Sequence, residues 1–222
     1  MRFVYPKIDN LFRLSREDKV NVLIIENQKL FVEILTDIND QINGYEGKAV
    51  LSIDNIPCEI SQNLELIIEF ISIDINKKNL LTKLYKKLND VAVNEKFFIK
   101  NKILNNSIID FALEVSDELD NEFKFNAEID TINIFKIIDF KFSQNLNLAE
   151  KLIEYFKIVR EYDKEKCFIL VNLRDYISFD EIDEFYKMIL YNRFKVLIIS
   201  GGDHPKSKYE EKIVIDEDLC QF

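Results

Sequence analysis

Across 222 residues the chain carries 40 acids against 30 bases, a formal net charge of −10, with 47% apolar residues and no tryptophan. That apolar share supplies a core and excludes wholesale disorder, while four glycines and three prolines leave too little turn punctuation for a many-stranded sandwich. Three widely spaced cysteines without a CxxC pair argue against zinc, and a single histidine, His204, excludes a His-rich metal centre.

The length suits one large domain, or a smaller domain carrying an extended insertion. Met1–Pro6 has no signal-peptide apolar core and the uncharged runs are short, so a cytoplasmic protein with no membrane partner is expected. Val20–Ile25 is a compact β-branched run, the pattern of a buried strand. Leu30, Phe31, Ile34, Leu35, Ile38 and Ile42 then follow at helical spacing, and Gly44 and Gly47 end that helix. Lys48–Ile53 reads as the next strand, completing a β-α-β start.

Two long helices are expected in the middle. Asn76–Asn94 places Leu80, Leu81, Leu84, Leu88 and Val91 on one side. Glu95 to about Leu119 carries Phe97, Leu104, Ile108, Phe111, Val115 and Leu119 at near-heptad steps. The last third returns to alternation: a helix over Asn147–Tyr162, a strand at Cys167–Asn172, and a helix opened by the capping box Ser178…Glu181. Strands at Lys195–Ser200 and Lys212–Ile215 follow. Continuous apolar strands between helices predict an α/β fold, a mostly parallel sheet covered on both faces, with an inserted helical projection. The expected division is 1–58 with 143–222 for the discontinuous α/β domain, and 59–142 for the helical part.

Charge is sorted within that insertion. Residues 77–102 hold eight lysines, Lys77, Lys78, Lys83, Lys86, Lys87, Lys96, Lys100 and Lys102, against Asp90 and Glu95. Residues 114–130 hold seven carboxylates and only Lys124. The first segment suits the phosphates of a polyanion, read without base contacts; a solvated face of lysine-rich helix explains the same composition. In the second, Glu118, Asp120, Glu122, Glu128 and Asp130 are candidate oxygen ligands for Ca²⁺, drawn from two arms. A solvated acidic turn is the alternative. An EF-hand is excluded, because its sixth position is Phe123 and its twelfth Ile129.

Signatures of catalysis are missing. GxxxxGK[ST] and GxGxxG are absent, and no glycine precedes Gly44, so the turn Glu26–Lys29 offers no amide nest for a triphosphate. Glu26 and Asp54 are the only carboxylates at strand ends that a nuclease reading can use, and they lack partners. His204 lies in a polar run, Gly201–Lys206, with the look of a surface loop rather than a triad member.

Ile73-Asp74-Ile75-Asn76, Glu118-Leu119-Asp120, Phe168–Asn172, Ser178–Glu181 and Ile215–Asp218 stand in an order that resembles the Csn-two family, the adaptation protein of type II-A CRISPR systems. The resemblance implies a P-loop-ATPase-like head without the phosphate loop, a helical leg, and no catalytic residue. It also implies a homotetrameric ring on linear double-stranded DNA, calcium that orders the ring, and work beside spacer-integration proteins and the effector nuclease. Glu118 and Asp120 carry over through the Glu-Leu-Asp match. Two other readings remain: a degenerate ATPase or nuclease, and a helical protein–protein scaffold.

Overall fold

The computed structural model describes residues 1–14, 18–126, 128–143 and 146–222. They fall into two units, 1–75 with 144–222 and 76–143.

The first unit is built on two sheets. Strands β1 (Arg2–Val4), β2 (Phe12–Arg13), β4 (Val50–Ile53) and β5 (Ile56–Cys58) form an antiparallel sheet in the order β2-β1-β4-β5. Strands β3 (Val20–Ile25), β6 (Leu64–Ile67), β7 (Cys167–Val171), β8 (Lys195–Ser200) and β9 (Glu210–Ile215) form a parallel sheet in the order β6-β7-β8-β3-β9. Every residue of β3 and β7 is buried, so their sequences do not alternate: β7 is apolar throughout, and β3 is broken only by Asn21, whose Nδ2 donates to Arg13 O at 2.8 Å.

Helix α1 (Gln28–Ile42) returns the chain from β3 toward the β6 edge, and a short helix α2 (Ile60–Asn63) precedes β6. Helix α6 (Leu148–Tyr162) leads into β7, and α7 (Phe179–Asn192) links β7 to β8. Right-handed crossovers in opposite directions put α1 on one face of the sheet and α6 and α7 on the other. The side chains agree. Leu23, Ile25, Ile169, Val171, Leu197 and Ile199 share one core with Ile34 and Ile38 of α1 and with Phe3 and Leu51 of the antiparallel sheet. The opposite face is aromatic: Phe156 stacks on Phe168 at 4.1 Å between ring centroids and meets Phe194 edge-on at 5.5 Å. Each such buried side chain stabilises the fold by about 1.5–3 kcal/mol.

Two expectations need correction. Val50–Ile53 is not the second parallel strand of a β-α-β unit. Asp54 and Asn55 both adopt positive φ (49° and 67°), a tight turn that folds the chain back antiparallel onto Ile56–Cys58. The next parallel strand in the chain is β6, which lies at the sheet edge and pairs with β7, from Leu64 opposite Cys167 to Ile67 opposite Leu170. The α/β part therefore continues through residue 75, and the boundary expected at 58/59 moves. Its physical reason is that Leu64 and Ile67 are core residues of the parallel sheet.

The second unit holds α3 (Lys78–Ala92), α4 (Phe98–Asp117) and α5 (Thr131–Ile137). The two long helices stand where the spacing predicts them, but α3 packs chiefly on α5, a helix not anticipated from sequence. Among the described residues, no helix is long and apolar enough to cross a membrane.

Candidate nucleic-acid and metal interface

The position a nucleotide takes in an open parallel sheet is the crevice at the carboxyl ends of the strands. Here only Glu26 and Asn27 separate β3 from α1. The Asn27 side chain caps the helix by accepting from Leu30 N at 3.0 Å, and its Nδ2 donates to Glu217 O at 2.8 Å. At the ends of β7 and β8, Asn172 holds a left-handed conformation (φ 55°) and its Oδ1 accepts from Gly201 N at 2.8 Å. A Cβ built on Gly201 meets the Phe31 ring at 3.7 Å, an ordinary van der Waals contact. Asp54 lies in the hairpin turn of the other sheet, so it and Glu26 belong to different sheets. His204 faces Asp175, Nε2 to Oδ1 3.4 Å.

The lysines lie on the helical unit. Lys77 is the N-cap of α3 and Lys78 its first residue. Lys83, Lys86 and Lys87 follow on the same helix at exposed positions, within about 100° of arc given 3.6 residues per turn. Lys96 sits in the connection to α4, its ammonium 5.3 Å from the Phe97 ring centroid. Lys100 and Lys102 are exposed near the start of α4, two residues apart and so on different sides of it. The three lysines of α3 therefore form one basic face, and Lys100 and Lys102 do not both extend it.

The acids occupy the connection from α4 to α5. Glu118 is the C-cap of α4, Asp120 and Glu122 are exposed in irregular chain, and Glu128 N donates to Asn126 Oδ1 at 3.0 Å. Asp130 is the N-cap of α5, its Oδ1 accepting from Ile132 N at 3.0 Å. All are hard oxygen donors of the kind calcium takes. Among the described residues, however, no three carboxylate, thiol or imidazole side chains stand close enough together to hold a metal ion. The donor chemistry of these carboxylates fits calcium.

A further feature escaped the sequence reading. Helix α4 runs 20 residues without one buried side chain. Phe98, Ile99, Ile103 and Phe111 are 57%, 70%, 59% and 68% exposed, far beyond the scattered apolar residues of an ordinary surface. A shallow apolar groove of about 380 Å³ lies on another side of α4, lined by Leu104 with Leu88, Val91, Ile134 and Phe135. Beneath it Asn101 Nδ2 donates to Thr131 Oγ1 at 3.1 Å, tying α4 to α5. The signal was present: apolar residues on α4 fall on more than one stripe, the pattern of a helix covered on several sides.

A family model described as CRISPR-associated protein (Cas_Csn2) matches residues 41–219. No curated protein matches the chain.

Proposed function

The chain belongs to the Cas_Csn2 family of CRISPR-associated proteins, and from that premise we propose that it is a non-catalytic, sequence-independent binder of linear double-stranded DNA. It would act as a calcium-stabilised ring of copies, most simply a homotetramer, serving spacer acquisition beside the spacer-integration proteins and the effector nuclease. The observation that carries this reading is α4, a 20-residue apolar-rich helix with no buried residue in the single chain. Such a helix leaves water by pairing with other molecules, and a second copy of this chain would bring the same apolar helix to the contact.

The charge arrangement supports the DNA part. A protein at −10 repels DNA as a whole, but a ring brings several copies of the face Lys83, Lys86 and Lys87 to bear on one duplex. Few arginines accompany those lysines, so phosphates rather than base edges are the natural contacts. Calcium, when bound, would be held by Glu118, Asp120, Glu122, Glu128 and the second oxygen of Asp130. It would neutralise like charges along one connection. The absence of room for a phosphate loop between Ile25 and Gln28 supports a head that neither binds nor hydrolyses ATP.

The test compares linear and covalently closed circular DNA of identical sequence in a gel-shift assay, over a range of salt. Binding confined to linear molecules and falling steeply with salt is expected. Equal binding to both forms removes the ring, and no binding to either removes the DNA role.

A further inference from the structure

Helices α6 and α7 lie side by side on the outer face of the parallel sheet and leave a groove of about 650 Å³ between them. Its floor is apolar: Ile153 and Phe185 are buried at 5% and 1% exposure, with Ala149 beside Ile153 and Met188 beside Phe185. Ala149 and Ile153 stand four residues apart, and Phe185 and Met188 three apart, so each helix presents one ridge to the groove. Met188 is 38% exposed, and its flexible thioether adapts to whatever packs on it.

The rim is acid-rich. Five carboxylates, Glu150, Glu154, Asp180, Glu181 and Glu184, line it against one lysine, Lys157. Glu150 and Glu181 close the capping boxes of α6 and α7, accepting from Asn147 N and Ser178 N, each at 3.1 Å. Hydrogen bonds from Ser178 hold the Glu181 carboxyl below its ordinary pKa, so it stays ionised. Glu154 pairs with Lys157 at 2.5 Å, and Glu184 pairs with Lys187. The capping bonds hold two rim charges in place on rigid helices rather than on loops.

We propose that this groove docks a basic amphipathic helix of a partner protein. An apolar trough between two helices accepts a third helix through residues at i, i+3, i+4 and i+7, and among the described residues that line it none belongs to a strand with which an extended segment could pair. Lysines and arginines flanking that apolar stripe meet the five carboxylates. The same charge turns away DNA and disfavours a second copy docking through its own acidic groove. The inference stands apart from the DNA reading, because it uses none of the lysines of the helical unit.

Fluorescence anisotropy with a labelled 18-residue Leu/Lys amphipathic helix, and with its Leu/Glu counterpart, tests it on the full chain. The Leu/Lys probe is expected to bind and the Leu/Glu probe not to bind. Met188→Lys, and separately Glu154→Lys with Glu184→Lys, should each weaken the Leu/Lys probe by about tenfold or more. Reversing Glu46 and Glu69, exposed acids outside the groove, should leave it within about twofold. All altered side chains are at the surface, so thermal unfolding should confirm that each variant folds. Equal loss in the remote variant means diffuse attraction to an acidic protein and overturns the proposal. So does failure of the Leu/Lys probe to bind, or a fall in assembly mass on Met188→Lys, which makes the groove a contact between copies.

Discussion

Arg174 is a buried cation with a buried partner in the α/β unit: its side chain is 5% exposed and that of Glu210 1%, with Nη1 3.3 Å from Oε2. Its Nη2 also donates to Pro205 O at 3.0 Å, so one guanidinium joins the turn after β7 to the loop before β9. Burial pushes the Glu210 carboxyl above its ordinary pKa, although Arg174 and the Ser207 backbone pull the other way. Desolvation therefore outweighs attraction. A carboxyl raised in the folded state costs stability above that raised value, and the cost is relieved as pH falls through it toward the unfolded value. Arg174→Met removes the attraction and keeps the burial, and should destabilise the fold by about 3–5 kcal/mol near neutral pH. The deficit should shrink as the solution is acidified, and adding Glu210→Gln should recover most of it at pH 7. Urea-unfolding midpoints of the single and double variants across pH check this; a deficit that ignores pH places the cost elsewhere.

At the scale of elements, α3 and α7 were the most legible. Ser178 and Glu181 form the capping box that their spacing announces, and Ser178→Ala should cost about 1 kcal/mol in thermal unfolding. Strands β3, β7 and β8 were also plain, because burial on both faces leaves a mostly apolar run rich in Val, Ile and Leu. β4 misled because Asp54-Asn55 was not recognised as a hairpin turn, and an apolar run cannot state which sheet it joins. β6 and α5 were missed for being four and seven residues long, too short for a period to declare itself. Asp130 shows the limit at the candidate site: read as a metal ligand, it is also the N-cap of α5, and composition alone does not separate those uses. The basic face of α3 was legible as a stripe but not as a binding surface. Reversing Lys83, Lys86 and Lys87 to Glu should weaken every duplex alike and flatten the salt dependence, by about 0.9 in log–log slope for each phosphate no longer neutralised. Wild-type affinity in that triple variant would leave those lysines as a solvated face.

For the whole molecule, what one chain leaves unfinished matters more than what it completes. α4 exposes Ile103 and Phe111 at 59% and 68%, so replacing both with Glu disturbs no buried packing within the chain. If copies pair through that helix, the double variant should run as a smaller species by light scattering while unfolding at nearly the wild-type temperature. A role for calcium would sit at the same helix. Asp117 and Glu118 end α4, where the backbone already concentrates partial negative charge, and Asp120, Glu122 and Glu128 follow before α5 begins at Thr131. Like charges along a connection that short oppose its closing, and among the described residues no cage gathers them. A calcium ion would offset that repulsion and join the end of α4 to the start of α5, stiffening the surface on which pairing depends. Ca²⁺ should outperform Mg²⁺, because carboxylates from an irregular connection suit a large, flexible shell better than a strict octahedron. Adding calcium to chelator-treated protein should therefore raise both the melting temperature and the assembly mass, and Glu118→Ala with Asp120→Ala should abolish both responses. An unchanged melting temperature and mass on adding calcium would return residues 114–130 to an ordinary solvated acidic stretch, and assembly would then rest on the apolar face of α4 alone.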